Sequence, residues 1–259
     1  MSNKKVAPYS NEEIEILKEG GKRLASILQL LREKCVEGVT GKEIDELAEK
    51  IILENGDIPV FKNYKPVGAY SPFPSTICIS VNDVVAHGIP NDIPFINGDV
   101  VSLDLGLKHG GLVVDSAITV IVGSENLVKE KKLLLVTEKA LEIGIDQCRV
   151  GKRVNDVGIA IEKYVVEQGF NVVDVLCGHA VGREIHADPQ IPHADYGHGG
   201  ERFTEGMVVA IEPHISVGSG EIHLSAKDKW AYISDDGSIT AQFEHTILIT
   251  KDGPVILTI

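Results

Sequence analysis

Four acidic residues each lie at one end of a strongly apolar run. Asp104 ends the segment GDVVSLD and Glu212 ends GMVVAIE, whereas Asp115 begins DSAITVI and Glu244 begins EHTILIT. Such runs predict short buried strands. A strand acid is commonly on a solvated face, because Asp is mostly exposed in proteins. The apolar flanks favour burial here, and buried acids close together require a shared proton or a cation.

The ten residues between Asp104 and Asp115, LGLKHGGLVV, are typical of a β-hairpin. His109-Gly110 is central between two apolar runs, so we assign His109 to the turn. A hairpin folded there would place Asp104 directly opposite Asp115. Cβ atoms of opposed residues lie about 4.5 to 5.5 Å apart, and like charges at that separation are destabilising.

Nine histidines are available as ligands or acid–base groups. Three of them lie in Gly-rich turns beside apolar runs, where loops commonly carry function: His87, His179 and His186. The others lack such a setting, and two of them, His193 and His198, lie in a polar Gly-rich stretch that suits a rim loop. The rest of this group comprises His214, His223 and His245.

Four carboxylates with one imidazole suit two divalent first-row ions. Hard oxygen ligands fit Mn or Fe well and also accept Co or Zn, and the sequence does not identify the metal. Two ions about 3.5 to 4 Å apart would activate a bridging water and stabilise a tetrahedral intermediate.

The segments around these acids occur twice along the chain. The pairs that align without a gap are Gly38 with Gly151, Glu49 with Glu162, Lys50 with Lys163, Glu54 with Glu167 and Gly56 with Gly169. The runs that end in Asp104 and Glu212 match each other, as do those that begin with Asp115 and Glu244. We interpret the pattern as an internal duplication about a pseudo-two-fold axis, with shared helix and strand composition as the alternative.

Apolar periodicity predicts the elements that position these residues. Helices are expected over 11–34, 40–55, 130–148 and 154–168, with Asn11 as an N-cap, Thr40 and Glu43 as a capping box, and Gly56 as a C-terminal stop. Each half is then a helix pair followed by strands. We predict an α/β (α+β) fold with an antiparallel sheet core flanked by helices. One domain would span 1–259, with halves over about 10–125 and 126–259 and an N-terminal arm over 1–10, because no Pro/Gly/Ser-rich linker separates the halves.

Composition limits the classes of function. The net charge of −13 argues against nucleic-acid recognition through a net basic surface. The chain begins without a signal-peptide pattern and contains no apolar stretch of membrane-spanning length, so we expect a cytoplasmic protein. Its four scattered cysteines form no CxxC pair and are expected to be reduced and mostly buried. A monomer is the default expectation.

Five features in fixed order resemble type I methionine aminopeptidases over nearly the whole chain: VVAHGIP, the Asp104/Asp115 pair, GHAVGREIH, GMVVAIEP and TAQFEHT. The resemblance implies the pita-bread fold, in which two αβ halves enclose a dinuclear metal centre. It also implies five metal ligands, of which Asp115 and Glu244 would bridge both ions: Asp104, Asp115, His179, Glu212 and Glu244.

The resemblance further implies roles for residues around the metals. His87 would contact substrate near the scissile peptide, His186 would stabilise the oxyanion, and Glu212 would also act as a proton shuttle. The methionine pocket would be lined by Val67, Tyr70, Phe73, Cys78, Ile185 and Trp230. Four positions depart from frequent family choices: Val67 replaces a cysteine, Ile185 a phenylalanine, Ala180 a glycine and Ala187 an acid.

The activity implied is metal-dependent hydrolytic removal of the initiator methionine when the second residue is small. A bridging water or hydroxide on the metal centre would attack the scissile carbonyl. The expected partners are N-terminal methionine peptides and nascent chains, with the ribosome as a further candidate. The alternatives are a Xaa-Pro aminopeptidase or prolidase of the same fold and a non-catalytic pita-bread protein that binds peptides or proteins.

Overall fold

The computed structural model describes residues 8–123, 127–197 and 199–259. His198 and residues 1–7 of the predicted arm lie outside the described residues. In chain order the elements are α1 (Asn11–Lys34), α2 (Gly41–Glu54), β1 (Ile58–Pro59), β2 (Cys78–Val81), β3 (Val84–Ala86), β4 (Val100–His109), β5 (Leu112–Ile121), α3 (Val128–Gln147), α4 (Val154–Glu167), β6 (Asn171–Val172), β7 (Cys177–Ala180), β8 (Ala187–Pro192), β9 (Val208–Ile211), β10 (His214–Ser216), β11 (Ile222–Leu224), β12 (Tyr232–Ser234), β13 (Thr240–Gln242), β14 (His245–Thr250) and β15 (Gly253–Ile256).

Side chains at the helix starts explain where the first helix pair begins. The predicted capping box of Thr40 and Glu43 is confirmed, and Gly56 follows the C-cap of α2 with a positive φ of 75°. The predicted N-cap of α1 was wrong by one residue, because Ser10 rather than Asn11 caps it. Ser10 Oγ accepts a hydrogen bond from Glu13 N at 3.2 Å, and Glu13 Oε2 accepts one from Ser10 N at 2.7 Å.

The described residues contain four antiparallel sheets. In one sheet, the long strand β4 pairs with β1, β2 and β5. Another sheet has the order β15-β14-β9-β7-β8. Two smaller sheets have the orders β13-β10-β6 and β11-β12-β3. The two larger sheets contain the strand segments that the sequence analysis identified as repeated, which are the runs at Asp104 and Glu212 and those at Asp115 and Glu244.

The β4–β5 hairpin has a different register from the predicted one. Asp104 pairs with Ala117, and Asp115 pairs with Gly106, so the two acids are not directly opposite. The turn is Gly110-Gly111, and His109 ends β4 instead of forming the turn. Because Asp104 and Gly106 share one face of β4, the acids remain diagonal neighbours on the same face of the hairpin. A Cβ atom at Gly106 would lie 3.2 Å from Asp115 Oδ1, so the glycine leaves room for the carboxylate.

Two hydrophobic cores lie under the two halves. The first packs α1 and α2 against β2, β4 and β5, and also includes a few later residues such as Val208 and Leu248. The second packs α3 and α4 against β9 and β14. The repeated order of a helix pair followed by strands agrees with the predicted duplication, whereas the exact boundaries of the halves stay a prediction.

Candidate metal centre

The seam between the two halves is held by hydrogen bonds between β5 and the start of β14. Glu244 N donates to Ala117 O at 2.9 Å, and Ser116 Oγ donates to Glu244 O at 2.6 Å. Thr246 Oγ1 accepts from Asp115 N at 2.9 Å and donates to Asp115 O at 2.7 Å. These bonds fix the backbone of one acid from each half at the same place.

The structure brings the five predicted metal ligands together at this seam. Their side-chain donor atoms form three overlapping groups, and within each group the atoms lie within 4.8 Å of one another. The groups are Asp104, Asp115 and Glu244; His179, Glu212 and Glu244; and Asp115, His179 and His186. Asp115, His179 and Glu244 each belong to two groups, and His186 joins one although it was predicted only as a substrate contact.

The acids are in an environment that disfavours their negative charge. Burial raises the pKa of Asp104 to about 7. Burial and the neighbouring carboxylates raise the pKa values of Asp115, Glu212 and Glu244 well above the ordinary range. Metal-free, the folded state therefore holds protons that the unfolded chain would release near neutral pH.

The donor atoms of this cluster fit a divalent cation. Asp104 Oδ1, Asp115 Oδ1 and Glu244 Oε1 are buried and accept no hydrogen bond from any described residue. Unsatisfied buried carboxylate oxygens are costly, and a cation would satisfy them. Four carboxylates with one imidazole match the ligand preferences of first-row divalent ions.

His179 is suited to serve as the imidazole ligand. Its Nδ1 lies 3.1 Å from Ala180 O, and its Nε2 lies 3.4 Å from Glu212 Oε1. Burial lowers the pKa of His179 to about 3, so the ring is neutral at physiological pH. With its proton on Nδ1 and donated to the carbonyl, the Nε2 lone pair is free to bind a cation.

His87 and His186 differ in their exposure and in the rings that they contact. His186 is exposed, and its ring centroid lies 4.4 Å from that of His179. His87 has a positive φ of 54° and packs edge-on to Trp230 at 6.3 Å. Burial lowers the pKa of His87 to about 4, and partial desolvation of the His186 ring by the groups around it also lowers the pKa of that residue, so both rings are neutral near pH 7.

Two further histidines were missed by the sequence analysis. His193 is fully buried, and its Nε2 accepts a hydrogen bond from Glu212 N at 3.2 Å, so its interpretation as a rim-loop residue was wrong. His214 is also buried, and neither ring nitrogen has a hydrogen-bond partner among the described residues. The position of His214, two residues after Glu212 in an apolar segment, was an available signal, whereas the polar surroundings of His193 gave none.

The predicted pocket residues fall into two sets. Phe73, Cys78 and Ile185 are buried, and Trp230 packs edge-on against Phe73 with ring centroids 5.2 Å apart. Val67 and Tyr70 are exposed at 108% and 83%, so the six side chains do not form one closed cup in this structure.

Of the four departures from common family choices, Ala180 and Ala187 pair with each other across β7 and β8. Small side chains therefore face each other one residue beyond His179. The ligand set is unaffected by this pairing.

Comparison with known proteins identifies the family. Residues 15–251 match metallopeptidase family M24. The chain is 42% identical over 249 residues to a methionine aminopeptidase of Mycoplasma capricolum subsp. capricolum, and the match covers 96% of each protein. The chain belongs to the methionine aminopeptidases of metallopeptidase family M24. It is also 40% identical over 246 residues to methionine aminopeptidase 1 of Bacillus subtilis, which covers 95% of this chain and 96% of that protein.

Methionine aminopeptidases of known structure share the fold. The enzyme of Rickettsia prowazekii is similar with a TM-score of 0.92 at 35% identity, over 98% of this chain and 100% of that one. The enzyme of Thermotoga maritima gives a TM-score of 0.90 at 39% identity, over 98% and 99% of the two chains. These likenesses confirm the predicted pita-bread fold.

A prolidase of Pyrococcus furiosus is similar in fold alone, with a TM-score of 0.75 at 24% identity. This chain covers 97% of its own length in that match but only 65% of the prolidase. This prolidase is therefore less similar to the chain than the methionine aminopeptidases above. Within the described ranges, no helix is both long and apolar enough to cross a membrane.

Proposed function

We propose that the protein is an active methionine aminopeptidase that hydrolyses the peptide bond after an N-terminal methionine when the second residue is small. The observation that carries this proposal is the complete set of five metal-donor side chains at the seam, in a chain that belongs to this family. A non-catalytic relative would be expected to have lost some of these donors, and none is lost here.

Asp104, Asp115, His179, Glu212 and Glu244 would hold two divalent ions, with Asp115 and Glu244 shared. Asp115, Glu244 and His179 each belong to two donor groups, but a neutral imidazole offers one lone pair whereas a carboxylate has two oxygens, so the two acids are the ones suited to be shared. When bound, such ions polarise a carbonyl oxygen and lower the pKa of a bound water. Mn, Fe, Co and Zn all suit the ligands.

The residues of the chain would then position the substrate and move protons. Glu212, whose backbone N–H is fixed by His193, would carry a proton between the attacking water and the leaving amine. His186, which lies against His179 and is open to solvent, would donate to the scissile carbonyl oxygen. His87 would contact the substrate beside Trp230.

The methionine side chain would be bound by Phe73, Cys78, Ile185 and Trp230. Their apolar surfaces suit an unbranched thioether, and the edge-on packing of Trp230 against Phe73 gives that wall a fixed shape. Val67 and Tyr70 would meet the substrate only at the mouth of the pocket, because both are exposed.

The substrates would be peptides and nascent chains that begin with methionine. Nascent chains carry that residue in the cytoplasm, so we place the activity there, with the ribosome as a candidate partner. We propose that a monomer suffices, since both halves of the site come from one chain.

The test is methionine release from Met-Ala-Ser and Met-Leu-Ser by purified protein that has been stripped of metal and resupplied with Mn, Fe, Co or Zn. We expect cleavage of Met-Ala-Ser alone, and only with metal. Asp115→Ala should abolish release, whereas Asp235→Ala, at an exposed acid outside the site, should not. A folded protein that is silent with every ion would favour the peptide-binding alternative.

A further inference from the structure

The side chains of Tyr64 and His186 join two loops from different halves of the chain. Tyr64 Oη lies 2.9 Å from His186 Nδ1, which is hydrogen-bond distance, and their ring centroids are 5.2 Å apart at an interplanar angle of 51°. The His186 ring also meets that of His179, with centroids 4.4 Å apart at 73°. His186 is therefore held between two rings while remaining open to solvent.

The backbone of Tyr64 is fixed where the two ends of the loop that contains Val67 and Tyr70 meet. Asn63 N donates to Phe73 O at 2.8 Å, and Phe73 N donates to Tyr64 O at 2.8 Å. Tyr64 N also donates to Phe61 O at 2.9 Å, and the tyrosine side chain packs against the first hydrophobic core. A side chain anchored in this way can restrain its partner, because its own backbone has little freedom.

We propose that Tyr64 is a positioning residue that donates its hydroxyl proton to His186 Nδ1 and thereby keeps the imidazole proton on Nε2. The inference rests on the role proposed above for His186. A neutral imidazole carries one N–H, and the hydrogen bond at one ring nitrogen decides which nitrogen carries it. Only the tautomer with the proton on Nε2 leaves a donor on the side of the ring away from Tyr64.

The ionisation states of both groups agree with this arrangement. Burial, with Glu184 nearby, raises the pKa of Tyr64 above its ordinary value, so the phenol keeps its proton. Partial desolvation of the His186 ring lowers its pKa, so the imidazole is neutral and can accept at Nδ1 from the Tyr64 hydroxyl at 2.9 Å. No change of protonation is required during this positioning.

The first test is a measurement of the His186 tautomer in the metal-free protein. Long-range ¹⁵N–¹H NMR spectra of histidine-labelled protein distinguish a protonated from an unprotonated ring nitrogen, and His186→Gln assigns the signal by its loss. We expect an unprotonated Nδ1 and a protonated Nε2 in the wild type, and a mixture of tautomers in Tyr64→Phe. A protonated Nδ1 in the wild type, or an unchanged signal in Tyr64→Phe, would overturn the inference.

Tyr196→Phe is a matched control, because it also removes one phenol hydrogen bond. Tyr196 Oη donates to Asp174 O, and neither residue belongs to the donor groups of the metal centre. We expect this variant to leave both the His186 signal and the turnover of Met-Ala-Ser unchanged.

Kinetics provide the second test. Tyr64→Phe keeps the ring packing and loses only the hydroxyl, so we expect kcat to fall about 3- to 10-fold with KM changed less than about twofold. In a His186→Ala background the same substitution should have no further effect, since Tyr64 acts through that ring. An equal loss in both backgrounds would show a merely structural role.

The two tests separate the possible failures. If the wild type releases no methionine, the proposed function fails, while the tautomer measurement still decides whether Tyr64 positions His186. If methionine is released but Tyr64→Phe changes neither kcat nor the tautomer, only the present inference fails.

Discussion

Thr246→Val should destabilise the seam more than its small change of shape suggests. Thr246 is fully buried, and its hydroxyl makes two hydrogen bonds to the backbone of Asp115, at 2.9 Å from N and 2.7 Å to O. Valine fills nearly the same space but can make neither bond. The substitution therefore leaves a buried donor and a buried acceptor of a proposed metal ligand with one partner fewer.

The expected magnitude follows from those two lost bonds. An unsatisfied buried polar group costs about 1 to 3 kcal/mol, and the extra apolar contact of valine offsets about 1 kcal/mol. Two such groups less that offset give an expected net loss of about 1 to 5 kcal/mol in the free energy of unfolding. Thr246→Ser keeps the hydroxyl and removes one methyl group, which should cost only about 1 kcal/mol.

Urea denaturation of the metal-free proteins would measure these differences, and calorimetric titration with Mn would measure metal affinity. The wild type should be the most stable, followed by Thr246→Ser and then Thr246→Val, with the weakest metal binding in Thr246→Val. If Thr246→Val were as stable as Thr246→Ser, the methyl group rather than the hydroxyl would hold the seam.

Three further predictions concern charge and packing. Folding raises the pKa values of Asp104 and the other acids of the cluster, so the metal-free folded state binds more protons than the unfolded chain. The Tm of the metal-free protein should therefore fall when the pH rises from about 7.5 to about 8.5. Saturating Mn should abolish this fall, because the metal binds the folded state with the acids deprotonated. Asp115→Asn removes an acid that must either take up a proton or bear a buried negative charge at pH 8, so it should raise the Tm of the metal-free protein at that pH while weakening Mn binding more than about 100-fold in a calorimetric titration. Gly21→Ala would place a Cβ atom 2.0 Å from Leu257 O and should cost about 2 kcal/mol or more in urea denaturation, whereas Gly41→Ala, with its nearest contact at 3.4 Å, should change stability by less than about 1 kcal/mol.

Local sequence signals predicted the elements that carry the site. The apolar flanks of Asp104 and Glu212 indicated buried strands that end at each acid; Glu212 does follow β9 directly, whereas Asp104 lies in the middle of the ten-residue β4. The capping box at Thr40 was readable because its two hydrogen bonds involve residues three apart. Signals of this kind depend on neighbours in the chain, so they need no knowledge of tertiary structure.

The hairpin register was harder to predict than the hairpin itself. The sequence HGG allows a turn centred on His109-Gly110 or on Gly110-Gly111, and moving the turn by one residue shifts every cross-strand partner by two. The observed turn pairs Asp115 with Gly106 rather than with Asp104. Apolar alternation does not distinguish these choices, because both registers leave the acids on the same face.

Contacts between distant loops could not be predicted from local patterns. Tyr64 lies in a loop with no catalytic motif, and it meets His186 only because the two halves fold together. The role of His193 was equally hidden from local patterns, because its hydrogen-bond partner is the backbone N–H of Glu212, 19 residues further along the chain. Val67 and Tyr70 show the opposite case, in which residues assigned to a pocket by resemblance are exposed in this structure.

The duplication explains why the donors lie at the seam and why the seam is rich in hydrogen bonds. Each half supplies two carboxylates, and neither half alone brings four donors to one place. Without a cation these acids must hold protons or repel one another, so the side-chain hydroxyl groups of Thr246 and Ser116, which donate to the backbone of Asp115 and Glu244, must hold the two acids together. A bound cation reverses the sign of this interaction, because each half then attracts the same ion. Metal binding and the association of the two halves should therefore stabilise each other, and substitutions that weaken the seam should weaken both.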